Sequence, residues 1–293
     1  MLAIIGGSGL YEMQGVEDGQ WLSVDTPFGN PSDDIFCCRY SGQKLAFLPR
    51  HGRGHVLSPS EINYRANIYA LKCLGVTDIL SVSACGSFRD DLPPGDFVLV
   101  DQFIDRTYAR EKSFFGSGLV AHVALGHPVC GGLGKIASVA ADEQGITLHE
   151  TGTYLAMEGP QFSTKAESHL YRSWGCDVIG MTNMPEAKLA REAEICYASI
   201  AMVTDYDCWH EDHEHVNVSQ ILQVLRSNAV KAEKLIKAMV PHYANSQRHP
   251  CPQGCDHALE TALVTAVEKR DPVKVAMLHP LLKRLESRVT EEQ

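Results

Sequence analysis

Apolar, β-branched runs recur along the chain at residues 2–5, 34–38, 44–48, 78–83, 96–100, 177–181 and 195–204. Most open on a charged residue and then continue mostly apolar at consecutive positions, and so predict short strands. Between several of them apolar residues return every three or four positions. That period predicts helices over 59–74, 132–144, 166–174 and 183–194, and a longer amphipathic helix over 218–240. Strands alternating with helices imply an α/β fold, a parallel or mixed central β-sheet flanked by helices. The pattern breaks at 241–255, which is polar and proline-rich and reads as a linker. A helical tail over 258–285, interrupted near Asp271-Pro272, is expected after it. The expected organisation is a main domain over 1–243, followed by a linker and tail over 244–293. The tail is too short to bury its own core, so it docks on the main body.

With 293 residues the chain can bury one sizeable α/β core. A formal net charge of −10 argues against a nucleic-acid backbone as partner, while leaving room for a local basic pocket that takes a small anion. No run approaches the roughly 20 apolar residues of a membrane span. The N-terminal run enters glycines without a basic region ahead of it. Many of the ten cysteines, such as Cys73, Cys176 and Cys196, sit inside apolar runs, where Cys behaves as a small hydrophobe. A reducing, cytoplasmic setting is expected.

The candidate chemistry lies at strand exits, where open α/β sheets bind ligands. The last strand leaves through Thr204-Asp205-Tyr206-Asp207-Cys208-Trp209. Side chains two apart on a strand share a face, so Asp205 and Asp207 present two carboxylates together. Such a pair suits the edge of adenine, with its amino group and a ring nitrogen that needs a proton; a solvated turn is the alternative. Gly6-Gly7-Ser8-Gly9 follows the first strand and lacks both the dinucleotide and the Walker spacings. Pro49-Arg50-His51-Gly52-Arg53-Gly54-His55 offers guanidinium forks and imidazoles between glycines, an anion site in prospect. Ser83-Ala84-Cys85-Gly86-Ser87 again puts hydroxyls and glycine at a strand end. Three such ends could converge on one phosphate without a metal. Glu158-Gly159-Pro160-Gln161-Phe162-Ser163 and Met181-Thr182-Asn183-Met184-Pro185-Glu186 add a ring, hydroxyls and thioethers suited to a base and a sugar. Cys208, His210, His213 and His215 resemble metal ligands but lack a second half with ligand spacing, so a surface loop is expected there. Cys251 and Cys255 could pair or stay reduced.

Taken in order, these segments, with Asp25-Thr26-Pro27-Phe28-Gly29 and Asp101-Gln102-Phe103-Ile104-Asp105-Arg106-Thr107, resemble the methylthioadenosine-cleaving branch of the trimeric purine nucleoside phosphorylase family. The resemblance runs from about residue 2 to 241. It implies the nucleoside phosphorylase type I fold, with a single mixed sheet. It also implies phosphorolysis of 5′-methylthioadenosine to adenine and 5-methylthioribose 1-phosphate in a homotrimer, with no cofactor and no metal. Carried over by position, Ser8, Arg50, His51, Ser83, Ala84 and Thr182 would hold phosphate. Cys85, Gly86, Phe162 and Met181 would line the nucleoside, and Asp205 and Asp207 would take the adenine edge, Asp205 as the acid. Val218 and Ile221 would form the apolar 5′ pocket, with His122 lent by the neighbouring subunit. The expected partners are thus a nucleoside and phosphate, with no nucleic acid and no membrane. Two readings stay open: a phosphorylase for 6-oxopurine nucleosides or methylthioinosine, and a non-catalytic nucleoside-binding protein. An ionised Asp only accepts hydrogen bonds, and a 6-oxo group would face it as a second acceptor, so the Asp pair favours adenine.

Overall fold

One strand organises the molecule. In a computed structural model that describes residues 1–7, 10–210 and 218–289 (side chains of 12, 218–221 and 286–289 excepted), β5 (Asp78–Ser87) lies at the centre of a mixed sheet. Its first four residues pair parallel with β1 (Leu2–Gly6), and its whole length pairs parallel with β11 (Cys196–Tyr206). Its last two residues pair antiparallel with β10 (Val178–Gly180). Beyond β1 lie β4 (Gln43–Pro49), parallel to it, then β3 (Ile35–Tyr40) and β2 (Glu17–Leu22). Beyond β10 lie β9 (Thr153–Ala156) and β7 (Gln102–Asp105), while β11 carries β6 (Phe97–Val100) and then β8 (Leu148–His149). The carboxyl ends of β4, β1, β5 and β11 therefore open on the same side.

Helices cover both faces, and the two-residue period of the strands feeds a separate core on each. Ala3 and Ile5 of β1 enter one core with α1 (Tyr64–Cys73), α4 (Asn183–Glu192) and α7 (His279–Val289). Leu2 and Ile4 enter the other, with α2 (Gly131–Glu143) and α5 (Val218–Asn245). Each such side chain, once fully buried, contributes about 1.5–3 kcal/mol. The third small core gathers Phe88, Ile179 and Trp209 near α3 (Lys165–Ser173), whose start is fixed by a reciprocal Thr164–Glu167 capping box.

Several boundaries differ from the sequence expectation. β2, β7, β8 and β9 have no predicted counterpart: β2 is an edge strand exposed along most of its length, and the others are two to four residues long. The first helix starts at Tyr64 rather than 59, because the Asn63 side chain accepts the Ala66 N–H and caps it there. α5 continues through Pro241 to Asn245, since Leu235, Ile236, Met239, Val240 and Tyr243 anchor it in the core and outweigh one missing N–H. Residues 258–271 are not an α-helix: Leu263 bridges Ala121, and His122 N–H donates to the Ala262 carbonyl. Asp271-Pro272 starts a helix instead of breaking one. Asp271 caps α6 (Pro272–Met277) by accepting from Val273 N–H, with proline at the first helical position.

Candidate active site

β5 is buried at nearly every position, yet Ala84 is exposed and Gly86 half-exposed. Two residues apart, they face the same way and mark an opening above the middle of the sheet. The rest of the cluster surrounds that opening. β11 contains a bulge between Val203 and Asp205, which sets Asp205 opposite Gly86. A Cβ built on Gly86 would lie 3.3 Å from Asp205 Oδ2 and 3.5 Å from Asp207 Cβ, so both acidic residues crowd one glycine. The Asp207 N–H and the Trp209 Nε1–H both donate to the Ser87 carbonyl and hold the loop against β5.

Asp207 is buried and Asp205 half-buried, and both have few partners among the described residues. Asp205 Oδ1 accepts one bond, from the Thr204 hydroxyl at 2.7 Å. Burial pushes its pKa up to about 7; the Thr204 hydroxyl works against the shift and the Asp207 charge adds to it. Asp207 is only 4 % exposed, and its Oδ2 has no hydrogen-bond partner among the described residues. Burial raises its pKa too, with the Ser168 hydroxyl opposing. Unpaired acceptors in a low-dielectric pocket are costly, and a ligand carrying N–H groups would relieve that cost.

The neighbouring strand ends meet as well. Gly6 pairs with Pro49, and the Arg50 N–H donates to the Gly6 carbonyl. The Arg50 side chain differs from an open anion fork. It is 2 % exposed and bidentate to Glu186 (2.8 and 3.1 Å), and it also donates to Ser81 Oγ, the Ile5 carbonyl and, through Nη1, the Val82 carbonyl. One Nη1 hydrogen is left without a partner among the described residues. His51 Nδ1 lies 2.9 Å from the Leu57 carbonyl, which can only accept, so Nδ1 carries the proton. Burial pushes the His51 pKa down to about 4 against that bond, with the Arg50 charge helping, so Nε2 is an acceptor at neutral pH. Ser83 Oγ donates to Asn183 Oδ1 at 3.1 Å, just after buried Thr182.

A second rim comes from residues 157–163. Met181 packs against Gly159, where a Cβ would come within 2.6 Å of its sulfur, and Gly159 has φ +68°. Phe162 is 53 % exposed, and the neighbouring Ser163 carbonyl accepts from Cys208 Sγ at 3.3 Å. This links the rim to the Asp207 loop. Cys208 is thereby occupied, and His210 stacks on Tyr206; the two do not join a ligand cluster among the described residues. His213 and His215 lie outside the described residues, as does Ser8, and so do the side chains of Val218 and Ile221. Cys85 is buried behind the strand, facing away from Ala84. His122 is exposed and lines a cavity of about 430 Å³ with Lys112, Phe115 and Lys188, none of which belongs to the cluster around Ala84.

Two supporting ion pairs were not anticipated. Glu186 fixes Arg50, Ser81 and the Tyr197 hydroxyl. Arg110, likewise buried, donates to the carbonyls of Glu158, Met181 and Met184 while paired with the Glu158 carboxylate, so it sets the shape of both rim segments. The one signal for Glu186 is an acid in the first turn of a helix, a common feature by itself. Nothing local marks Arg110.

Residues 1–241 match the model of the phosphorylase superfamily. The chain is 61 % identical to the S-methyl-5′-thioadenosine phosphorylase of Cereibacter sphaeroides, covering 97 % of this chain and 98 % of that protein. It is 59 % identical to the one of Rhodospirillum rubrum, with 93 % and 92 % covered. Among solved structures, a methylthioadenosine phosphorylase from an antarctic soil metagenome superposes with TM-score 0.91 at 49 % identity, covering 96 % of this chain and 98 % of the other. The Schistosoma mansoni methylthioadenosine phosphorylase in complex with adenine gives 0.85 at 36 % identity, with 90 % and 98 % covered.

Proposed function

The chain belongs to the phosphorylase superfamily, and we infer that it cleaves S-methyl-5′-thioadenosine with inorganic phosphate, giving adenine and 5-methylthioribose 1-phosphate. The observation that carries the base assignment is the Asp205–Asp207 pair beside Gly86, a half-buried carboxyl group with one hydroxyl donor and a buried one with an oxygen unpaired among the described residues. Adenine leaves poorly as an anion, so a proton must reach N7 as the glycosidic bond breaks. Asp205, with a pKa of about 7, carries that proton in a large share of molecules at neutral pH and releases it readily. Asp207 then accepts from the 6-amino group.

On the opposite side of the sugar, phosphate attacks the anomeric carbon. The developing oxocarbenium charge is stabilised by the phosphate itself. Backbone N–H at Ala84, the hydroxyls of Ser8 and Thr182, that of Ser83 once turned from Asn183, and the remaining Arg50 Nη1 hydrogen are its donors. His51 Nε2, unprotonated, accepts the proton that the bound phosphate still carries. Met181 and Phe162 flank the nucleoside, Cys85 and Gly86 contribute backbone along its base, and Val218 and Ile221 close an apolar pocket on the methylthio group. His122 does not share its own chain's cluster, and this supports a homotrimer in which it reaches a neighbour's site. No helix among the described residues is long and apolar enough to cross a membrane. Cys85 in one core and Cys38 in the other pack as small hydrophobes, and this supports a cytoplasmic location.

The test is release of free base from methylthioadenosine, adenosine, methylthioinosine and inosine, with and without phosphate. Adenine released only with phosphate, and fastest from methylthioadenosine, is expected. Preferential release of hypoxanthine would overturn the base assignment, and release without phosphate would overturn phosphorolysis.

A further inference from the structure

Four cysteine thiols from distant parts of the sequence meet at the amino end of β11. Cys130 precedes the first turn of α2, Cys196 is the first residue of β11, and Cys251 and Cys255 lie in the segment after α5. Each sulfur lies within 4.8 Å of the other three, all four residues are at most 6 % exposed, and none is in a disulfide. The Cys130 and Cys251 sulfurs are 3.8 Å apart. A tetrahedron of thiolates bound at about 2.3 Å has sulfur–sulfur edges of about 3.8 Å. Cys-x-x-x-Cys supplies two ligands from one turn, and two rigid elements supply the others.

The surroundings favour thiolates. Arg248 Nη2 lies 3.2 Å from Cys130 Sγ, and the N-terminal N–H groups of α2 begin beside that residue. The carboxylate of Asp78, which also approaches Cys196, is already matched by Arg248 at 2.7 Å and His249 at 2.8 Å. Zinc with four thiolates carries a net charge of about −2, and Arg248, shared between Asp78 and Cys130, offsets part of it.

We propose that Cys130, Cys196, Cys251 and Cys255 bind a structural zinc ion that fastens the segment after α5 to the amino end of the sheet. Four thiols release their protons to solvent as the ion binds, and no oxidation state changes. With four sulfur ligands the ion has no open position for water, so its role is in holding the fold. Nine residues of extended strand, about 30 Å, separate Cys196 from Asp205, and the ion takes no part in phosphorolysis.

The test uses the full chain purified without chelators. Desalted protein is measured for zinc by plasma mass spectrometry, then exchanged with Co(II) and followed by absorption. About one zinc per chain is expected, together with the intense thiolate-to-cobalt and tetrahedral d–d bands of a four-sulfur site. Both should be lost in the C251S/C255S double variant, and a strong zinc chelator should lower the melting temperature of the parent alone. If the double variant fails to fold, the cobalt spectrum of the parent still decides. Three results would overturn the proposal: less than a tenth of an equivalent of metal after incubation with excess zinc, an intact mass showing that these cysteines form disulfides, or undiminished metal in a folded double variant.

Discussion

β5 and β11 hold an acid withdrawn from water at each end, Asp78 fully and Asp205 partly, and the two ends treat it in opposite ways. At the amino end, Asp78 is fully buried and accepts from Thr77, Tyr243, Arg248 and His249. Burial alone would push its pKa up, but the His249 and Thr77 bonds and the Arg248 charge together outweigh it and leave the pKa lowered. At the carboxyl end, among the described residues, Asp205 has one hydroxyl and Asp207 an oxygen with no partner, and both pKa values are raised. The same residue type in one pair of strands is thus a satisfied anion that ties the C-terminal segment to the sheet, or an acid with a raised pKa. What separates them is the supply of donors, since the more deeply buried of the two has the lowered pKa.

The largest effect should come from breaking the reactive end. Asp205→Asn is expected to lower kcat for methylthioadenosine by about 10²- to 10⁴-fold, with the KM for phosphate little changed, measured by adenine release. Asp207→Asn should improve the ratio for methylthioinosine over methylthioadenosine, because its amide can donate to a 6-oxo group where Asp207 accepts from the 6-amino group.

Breaking the satisfied end should cost the fold instead of the chemistry. Asp78→Ala strands Arg248 and His249 and is expected to destabilise by about 3–5 kcal/mol, read from chemical denaturation, while kcat stays near the parent value wherever the variant is folded.

The pH dependence sharpens the contrast. Asp205 acts as an acid only while protonated, so kcat/KM should fall about tenfold per pH unit above about 7. Its raised pKa also means that the stability of the neutral buried form is complete below about pH 4 and is lost as the pH rises to 7, on the order of 4 kcal/mol. Asp78, with its pKa lowered, has the opposite sign: its contribution is present above the ordinary carboxyl range and is lost as the pH falls through its folded value. Melting curves of the parent and Asp205→Asn from pH 5 to 8 should diverge, with the variant losing less.

The smallest expected effect tunes the acid. The Thr204 hydroxyl pulls the Asp205 pKa down, so Thr204→Val should move the alkaline limb of the kcat/KM profile upward by about half to one pH unit. An unmoved limb would show that burial alone sets the acid.

The local sequence was enough for what local sequence controls. Runs such as 195–204 are apolar throughout because a central strand is covered on both sides, and that is legible without coordinates. So is the Asp205–Asp207 spacing, and the strand-end segments were sufficient for the family resemblance. β2 was not legible, because an edge strand has polar residues on both faces and no period to read. The bulge at Thr204, the pairing of Arg50 with Glu186 across 136 residues, and Arg110 beneath both rim segments depend on contacts that no spacing encodes. The same holds for the four thiols around Cys130. Residue types and their period determined the sheet, its two cores and the carboxylate pair. Only the tertiary structure decided which buried acid found its donors, because donors arrive from distant segments and protonation follows the whole surroundings of a group.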